Sequence, residues 1–251
     1  EDKEANLWIA TKGGLVKYIR TEKLFKRIRY TSPFQLLATE CIYDVKCMRN
    51  GSIVINMPPV LSVCDPKTLK FNHYISPFAF DGSAKDNNIP LLEDRDGSIW
   101  VASTKGLARF IPATSSFKVF KHDKNDPNSI SDDNITALFQ DQYGGLWIGT
   151  SSGLNYRAAG AHGFVHYFHD YANEASLSNN FIRAIVSDKQ GNLWISTEGG
   201  GLNRMSRHQK TNIYFERFSA EKSGLNHNIN LALVIDNSDN LWIGTLSGIN
   251  K

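Results

Sequence analysis

Short apolar stretches alternate with turn-forming residues along the whole chain. In the copy that runs from Ile135 to His169, four stretches of four to six residues are separated by segments rich in Gly, Asp and Ser. These stretches are Ile135–Gln140, Leu146–Thr150, Leu154–Arg157 and Phe164–Phe168. Their length favours strands, and no part of the chain shows sustained helical periodicity. The pattern predicts four short antiparallel strands joined by tight turns.

This unit recurs at a nearly fixed period. All five tryptophans occupy the same place in it, and a sixth, eroded copy has Val54 at that place. The positions are Trp8, Val54, Trp100, Trp147, Trp194 and Trp242, with steps of 46, 46, 47, 47 and 48 residues. A period in the forties with four strands per copy is typical of a β-propeller blade. We therefore predict an all-β fold, a β-propeller of four-stranded antiparallel blades.

The chain is expected to be one propeller segment, 1–251, of about five to six blades. Blade remnants are predicted at 1–30 and 230–251, because no first strand precedes the predicted strand of Trp8 and no fourth strand follows the third strand after Trp242. The predicted blades between them are about 42–75, 89–121, 135–169 and 182–218. Such a segment is expected to be cut from a larger propeller and to form an open arc. The alternative is a closed ring of six, in which the two remnants share one blade.

The tryptophans are interpreted as structural residues that pack between blades, since a sheet in a repeat array buries both faces. These are Trp8, Trp100, Trp147, Trp194 and Trp242. Stacking on a ligand is the alternative. An Asp precedes each Trp by six residues, and we interpret it as a turn residue that bonds its own backbone. Metal ligation by these carboxylates is disfavoured, because one per blade around a ring makes no cluster.

Composition and charge exclude several functions. The net charge is +3 and spread along the chain, so we expect no nucleic acid and no membrane as partners of this segment. No apolar run approaches membrane-spanning length. Basic residues recur between Lys17 and Arg29, where a charged outer edge strand is favoured over a rim for an anionic ligand.

The second copy has lost the signature and holds all three cysteines, Cys41, Cys47 and Cys64. One disulfide with one free thiol, or three buried thiols, are both open. Small buried residues that fill the space of the absent Trp are the favoured interpretation. The seven histidines show no metal-ligand spacing, so no metal or other cofactor is expected.

Long polar connections lead into each blade. In propeller topology they share a face with the turns between second and third strands, and loops on a rigid scaffold commonly carry function. The candidate ligand-binding residues are taken from this face. They are Lys12, Lys105, Asn134, Tyr171, Asn180, Arg183 and Glu198. No catalytic residue is proposed.

Two stretches together resemble the two-component regulator propeller repeat: Asp126-Pro-Asn-Ser-Ile-Ser-Asp-Asp-Asn-Ile-Thr-Ala-Leu138 and Asp141-x-x-Gly-Gly-Leu-Trp-Ile-Gly-Thr-x-x-Gly-Leu-Asn155. The resemblance covers nearly the whole chain apart from the second copy. It implies the periplasmic sensor of a hybrid two-component system of Bacteroidetes type, in an inner-membrane protein. It further implies seven-bladed propellers, an oligosaccharide signal, a homodimer and a histidine kinase elsewhere in the parent chain.

Three functions follow from these observations. The first is a non-catalytic extracytoplasmic sensor segment that senses an oligosaccharide. The second is a scaffold propeller for protein interaction or dimerisation, and the third is an enzyme that resembles the propeller lyases. The sensor is favoured, because no histidine and carboxylate are placed to converge on a substrate or metal.

Overall fold

The computed structural model describes residues 1–28, 42–78, 89–206 and 213–251. These residues form six small antiparallel sheets, here called blades 1 to 6 in chain order. They fall into two compact units, one of residues 1–101 and 108–119 and one of residues 102–107 and 120–251. The predicted all-β propeller blades are confirmed. None of the described helices is long and apolar enough to cross a membrane.

Three blades belong to the first unit, apart from residues 102–107 and Phe120 of blade 3. Blade 1 consists of β1 (Leu7–Thr11), β2 (Gly14–Ile19) and β3 (Leu24–Ile28). Blade 2 consists of β4 (Asp44–Cys47), β5 (Ile53–Met57), β6 (Val60–Cys64) and β7 (Phe71–Ile75). Blade 3 consists of β8 (Leu91–Glu93), β9 (Ile99–Ser103), β10 (Gly106–Ile111) and β11 (Ser116–Phe120).

The second unit holds blades 4, 5 and 6. Blade 4 consists of β12 (Ile135–Gln140), β13 (Leu146–Thr150), β14 (Gly153–Arg157) and β15 (Val165–Tyr167). Blade 5 consists of β16 (Ile182–Ser187), β17 (Leu193–Thr197), β18 (Leu202–Met205) and β19 (Glu216–Phe218). A single helical turn, α1 (Ala220–Ser223), precedes blade 6, which consists of β20 (Asn230–Ile235), β21 (Leu241–Thr245) and β22 (Gly248–Asn250).

Apolar side chains between successive blades form the cores. In the first unit, Trp8 and Leu15 of blade 1 pack with Ile53 and Ile55 of blade 2. On the other face of blade 2, Val54 packs in a cluster with residues of blade 3. Val54 thus occupies the inter-blade position where the other copies have Trp.

Blades 4 and 5 of the second unit pack in the same way. Trp147 is 4% exposed and lies in a cluster with Ile182, Ile185 and Ile195 of blade 5. Trp100 and Trp8 are buried as well, and Trp194 is partly buried against blade 6. The predicted packing role does not describe Trp242, which is 39% exposed. Within the described residues of its unit, Trp242 belongs to none of the buried clusters.

The recurring six-residue spacing between Asp and Trp is explained by a hydrogen bond that joins the turn Asp to the Trp. The Asp carboxylate accepts the indole N–H at 2.8 to 3.1 Å in all five copies that carry a Trp. In blade 4 the other oxygen of Asp141 accepts the backbone N–H of Tyr143 and Gly145, which is the predicted turn role. The Asp therefore fixes both the turn between the first two strands and the Trp.

Blade 2 shows which of these roles requires the carboxylate. Met48 stands where the other blades have the turn Asp, and Val54 stands in place of the Trp. The turn is nevertheless closed by the same backbone bonds, Met48 N–H to Ser52 O at 2.8 Å and Gly51 N–H to Met48 O at 2.8 Å. The Asn50 side chain accepts the Ser52 N–H at 2.9 Å, so the turn closes without an Asp, and the Asp is absent in the copy that has no indole N–H to satisfy.

The cysteines of the described residues carry no disulfide. Cys64 is buried and Cys47 partly buried, and both are free thiols. Burial raises the pKa of the Cys64 thiol to about 11. Cys41 lies outside the described residues, as does Arg29 of the basic segment that begins at Lys17.

Candidate functional site

Turns and incoming connections lie side by side on one face of the second unit, which we call the loop face. A glycine at the start of a third strand, or directly before it in blade 5, donates its N–H to a carbonyl in the connection that enters the next blade. The bonds are Gly106 to Asp133 at 2.7 Å, Gly153 to Asn180 at 2.8 Å and Gly201 to Asn228 at 2.9 Å. Gly153 adopts a φ of +132°, and a side chain there would meet the Phe168 ring, so glycine is required. The turns thereby fix the position of the connections.

Two of these connections are internally cross-linked. His122 and His169 begin equivalent loops, and each ring Nδ1 lies within hydrogen-bond distance of a carbonyl eight residues later, at 2.8 and 2.6 Å. Asp123 and Asp170 each donate their backbone N–H to the Ser hydroxyl six residues on, at 2.9 and 2.8 Å. The connections are therefore defined structures with little freedom to lose on binding.

A buried Asn ties each connection to its blade. The Asn155 amide donates to Ser131 Oγ and Ile148 O, and its oxygen accepts the Ser131 N–H at 2.8 Å. Asn203 makes the same three bonds with Ser178 and Ile195 in blade 5. Such a buried amide contributes rigidity, because breaking its three hydrogen bonds would leave several buried polar groups without partners.

The loop face gains a charged pair in blade 5. The Arg183 Nε donates to Glu198 Oε2 at 2.5 Å, and the guanidinium lies 4.8 Å from the centre of the Phe181 ring. Arg183 is positioned by a register shift between Ile182 and Ala184 in β16. A β-bulge of this kind re-aims a side chain, and bulges are common beside binding sites.

Equivalent shifts in the neighbouring blades carry uncharged side chains. They occur between Ile135 and Ala137 in β12 and between Asn230 and Ala232 in β20. The shifted residues are Thr136 and Leu231. The register shift therefore recurs in all three blades of this unit, and only in blade 5 is the shifted residue charged.

Asn134 and Lys105 lie on the same face but in different settings. Asn134 in blade 4 donates to Ser151 Oγ at 2.5 Å, while Ser152 donates to Asp132 at 2.7 Å. Lys105 lies in the turn between β9 and β10, where its backbone N–H donates to Ser103 Oγ at 3.0 Å. The Asn134–Ser151 bond therefore links the residue before β12 to the turn between β13 and β14 of the same blade. The Ser152–Asp132 bond lies beside it.

Two other candidates belong to the connection into blade 5. The Asn180 side chain accepts the His169 N–H at 2.6 Å, and its carbonyl accepts the Gly153 N–H. Asn180 therefore shapes the loop. Tyr171 is 95% exposed, with its ring 4.4 Å from the His169 ring, and is accessible to a ligand.

Lys12 lies in the first unit, exposed in the turn between β1 and β2. The structure therefore brings Arg183 and Glu198 into contact, places Asn134, Asn180, Tyr171 and Lys105 elsewhere in the second unit, and keeps Lys12 in the other unit. Phe181 was not among the predicted residues. Its position immediately before a strand that carries Arg183 was the available signal.

The loop face combines charged, aromatic and neutral polar groups. A planar guanidinium, a carboxylate and an aromatic ring adjoin one another, and neighbouring Asn, Asp and Ser side chains add neutral donors and acceptors. No group of three or more His, Cys, Asp or Glu that could hold a metal is found within the described ranges.

Three segments match the model of the family described as two component regulator propeller, at residues 129–152, 176–199 and 223–247. Each runs from a connection through the first two strands of blade 4, 5 or 6. No curated protein matches the chain.

Solved structures match along nearly the whole chain. The extracellular domain of a protein described as the hybrid two component system BT3049 of B. thetaiotaomicron is 24% identical, with a TM-score of 0.73 over 98% of this chain and 32% of its own. That of BT4673 from the same organism is 21% identical, with a TM-score of 0.61 over 100% and 38%. PorZ, a bacterial surface component of the type-IX secretion system of Porphyromonas gingivalis, is 20% identical, with a TM-score of 0.71 over 99% and 37%.

These likenesses establish the fold, and the chain spans only about a third of the length of those structures. The family matches and the repeated blades agree on the type of repeat. Segments of blades 4, 5 and 6 therefore match the two component regulator propeller repeat, and the chain as a whole shares the propeller fold of these structures.

Proposed function

We propose that this chain is a non-catalytic segment of an extracytoplasmic sensor and that it binds an oligosaccharide on the loop face of blade 5. The Arg183–Glu198 pair beside Phe181 carries the proposal. The family description and the extracellular placement of the BT3049 and BT4673 domains support a sensor outside the cytoplasm. Dimerisation of the parent sensor stays a prediction.

The chemistry of the pair suits a sugar. Guanidinium and carboxylate groups each offer two coplanar hydrogen-bonding positions, which match vicinal hydroxyls, and an aromatic ring offers an apolar face for C–H groups. The rigid connections favour affinity, because little loop ordering has to be paid for on binding.

Isothermal titration calorimetry of the chain against a panel of neutral and acidic oligosaccharides tests the proposal. The double variant Arg183→Met with Glu198→Gln removes both charges and keeps side-chain size. We expect it to weaken binding of the best ligand at least tenfold, with an unchanged circular dichroism spectrum.

Blade 5 offers a matched control. Arg204 and Glu216 form another Arg–Glu pair of 2.7 Å, between β18 and β19. The variant Arg204→Met with Glu216→Gln should keep wild-type affinity. Equal affinities of the two double variants, or no binding by any oligosaccharide, would contradict the proposed site.

A further inference from the structure

Blade 2 leaves a cavity at its interface with blade 3. The cavity measures about 370 Å³ and lies within the first unit, beside the turns that join the first and second strands of the two blades. Val54 stands in this copy where the others have a Trp, and it is fully buried in the cluster that the two blades share. The cavity therefore adjoins the copy of the repeat that has lost its large ring.

The surroundings of the indole in blade 4 show which space the cavity occupies. Three residues of that blade surround the Trp147 ring, namely the turn Asp that bonds it and two tyrosines whose ring centres lie 4.5 and 5.8 Å away. They are Asp141, Tyr156 and Tyr167. The residues at the same strand positions of blade 2 are Met48, Val63 and Tyr74. All three line the cavity.

The facing blade completes the same enclosure. In blade 5, Leu193 and Met205 belong to the cluster that contains Trp147. Their counterparts in blade 3, Ile99 and Phe110, line the cavity. The cavity therefore lies where an indole ring lies between other blades, and the small residues of blade 2 fill only part of that space.

A comparison of volumes agrees with this assignment. A cavity also lies at the corresponding place between blades 4 and 5, but there Trp147 itself forms one wall and the volume is about 210 Å³. The cavity beside blade 2, which has no indole in its lining, is larger at about 370 Å³. The difference is in the direction that loss of a ring requires.

We propose that the cavity beside blade 2 binds a small planar aromatic molecule of the size of an indole. Its walls include the rings of Tyr74 and Phe110, whose centres lie 4.5 Å apart, and aromatic rings pack favourably against a further ring. An apolar cavity of about 150 Å³ is enough to bind benzene. The 370 Å³ found here therefore leaves room for two fused rings.

Polar groups in the lining favour a neutral molecule that carries a hydrogen-bond donor. Two bases and two acids line the cavity, so its lining has no net charge; they are Arg49, Arg95, Glu93 and Asp96. The Glu93 carboxylate accepts the backbone N–H of Arg49 at 2.8 Å and pairs with its guanidinium at 3.4 Å. A carboxylate has about four acceptor positions, so Glu93 can also accept a ring N–H. Indole is the simplest molecule that meets these conditions.

Calorimetric titration of the chain with indole, together with NMR of labelled methionine methyl groups, tests the proposal. The three methionines have different settings. Met48 lines the proposed cavity, Met205 lines the cavity between blades 4 and 5, and Met57 is buried in the cluster between blades 1 and 2. Because a bound ring shifts the resonance of a methyl group that it contacts, we expect a saturable shift of Met48 while Met57 and Met205 stay unchanged. A shift of Met205 without Met48, or no binding of indole, would overturn the proposal.

A double variant fills the cavity from within. Met48→Asp with Val54→Trp gives blade 2 the two residue types that the other blades carry at these positions, so the fold should persist and the internal indole should occupy the site. We expect the affinity for added indole to fall at least tenfold. Met57→Leu, a volume-conserving change in the neighbouring cluster, should keep wild-type affinity.

Circular dichroism establishes that the double variant is folded. Wild-type affinity for indole in the folded double variant would show that indole binds elsewhere, and the proposed site would be wrong. If the double variant does not fold, the Met48 shift in the wild-type chain decides the question by itself.

Discussion

The Asp–Trp hydrogen bond makes a direct prediction about stability. Asp141 accepts two backbone N–H groups with Oδ1 and the Trp147 indole N–H with Oδ2 at 3.1 Å. Asn is isosteric, so Asp141→Asn keeps the turn through its carbonyl oxygen. The Asn amide then faces the indole with a donor, and the buried indole N–H loses its acceptor.

The magnitude follows from the bond that is lost. A hydrogen bond to a charged group contributes about 1.5 to 3 kcal/mol, and a stranded buried donor costs a similar amount. Since Trp147 is only 4% exposed, water cannot replace the carboxylate. We expect Asp141→Asn to lower the free energy of unfolding by about 2 kcal/mol. Urea unfolding with an unchanged slope measures this loss, and faster exchange of the Trp147 indole proton in NMR locates it.

Blade 6 supplies the matched control. Asp236 bonds the backbone N–H groups of its turn and the Trp242 indole with the same geometry, but Trp242 is 39% exposed. Water can solvate that indole, so Asp236→Asn should cost clearly less than Asp141→Asn. Equal losses would refute the reasoning that burial of the donor sets the energy.

Three further predictions concern other buried groups. Asn155→Ala removes three bonds, including that from the Ser131 N–H, and should cost about 2 to 3 kcal/mol in urea unfolding, with faster exchange of the Ser131 amide. Burial raises the pKa of the Cys64 thiol to about 11, so at pH 8 it should react with a disulfide reagent only after denaturant is added; prompt reaction in the native state would contradict this. Burial raises the pKa of Asp2, but bonds from the Trp8 indole, Asn6 and Lys17 outweigh it and lower the pKa from 3.8 to about 2. Because the folded pKa is the lower one, this stabilisation is complete above about pH 4 and lost as the pH falls toward 2, so the melting-temperature difference between wild type and Asp2→Asn should shrink over that interval.

The sequence predicted the blades well because one large side chain at a fixed spacing reports directly on the packing of repeated sheets. The strands around Trp147 and the loss of Trp in blade 2 were both visible in the pattern. The indole bond to Asp141 was missed, although the joint replacement of Asp by Met48 and of Trp by Val54 indicates it. Because Asp and Trp are replaced together in this copy, the pattern indicates that the two side chains interact in the other copies.

The contacts at the candidate site were harder to predict from the sequence than the blades were. Arg183 and Glu198 were named separately, but their contact depends on a register shift in β16 that no residue pattern shows.

The six-residue spacing between Asp and Trp has a consequence for how such proteins change over time. Each indole finds its acceptor inside its own blade, so a copied or deleted segment of about one period, 47 residues between Trp100 and Trp147, carries donor and acceptor together. Gene duplication can therefore add or remove blades without leaving an unsatisfied indole. The loops of the blades can diversify while the number of blades varies.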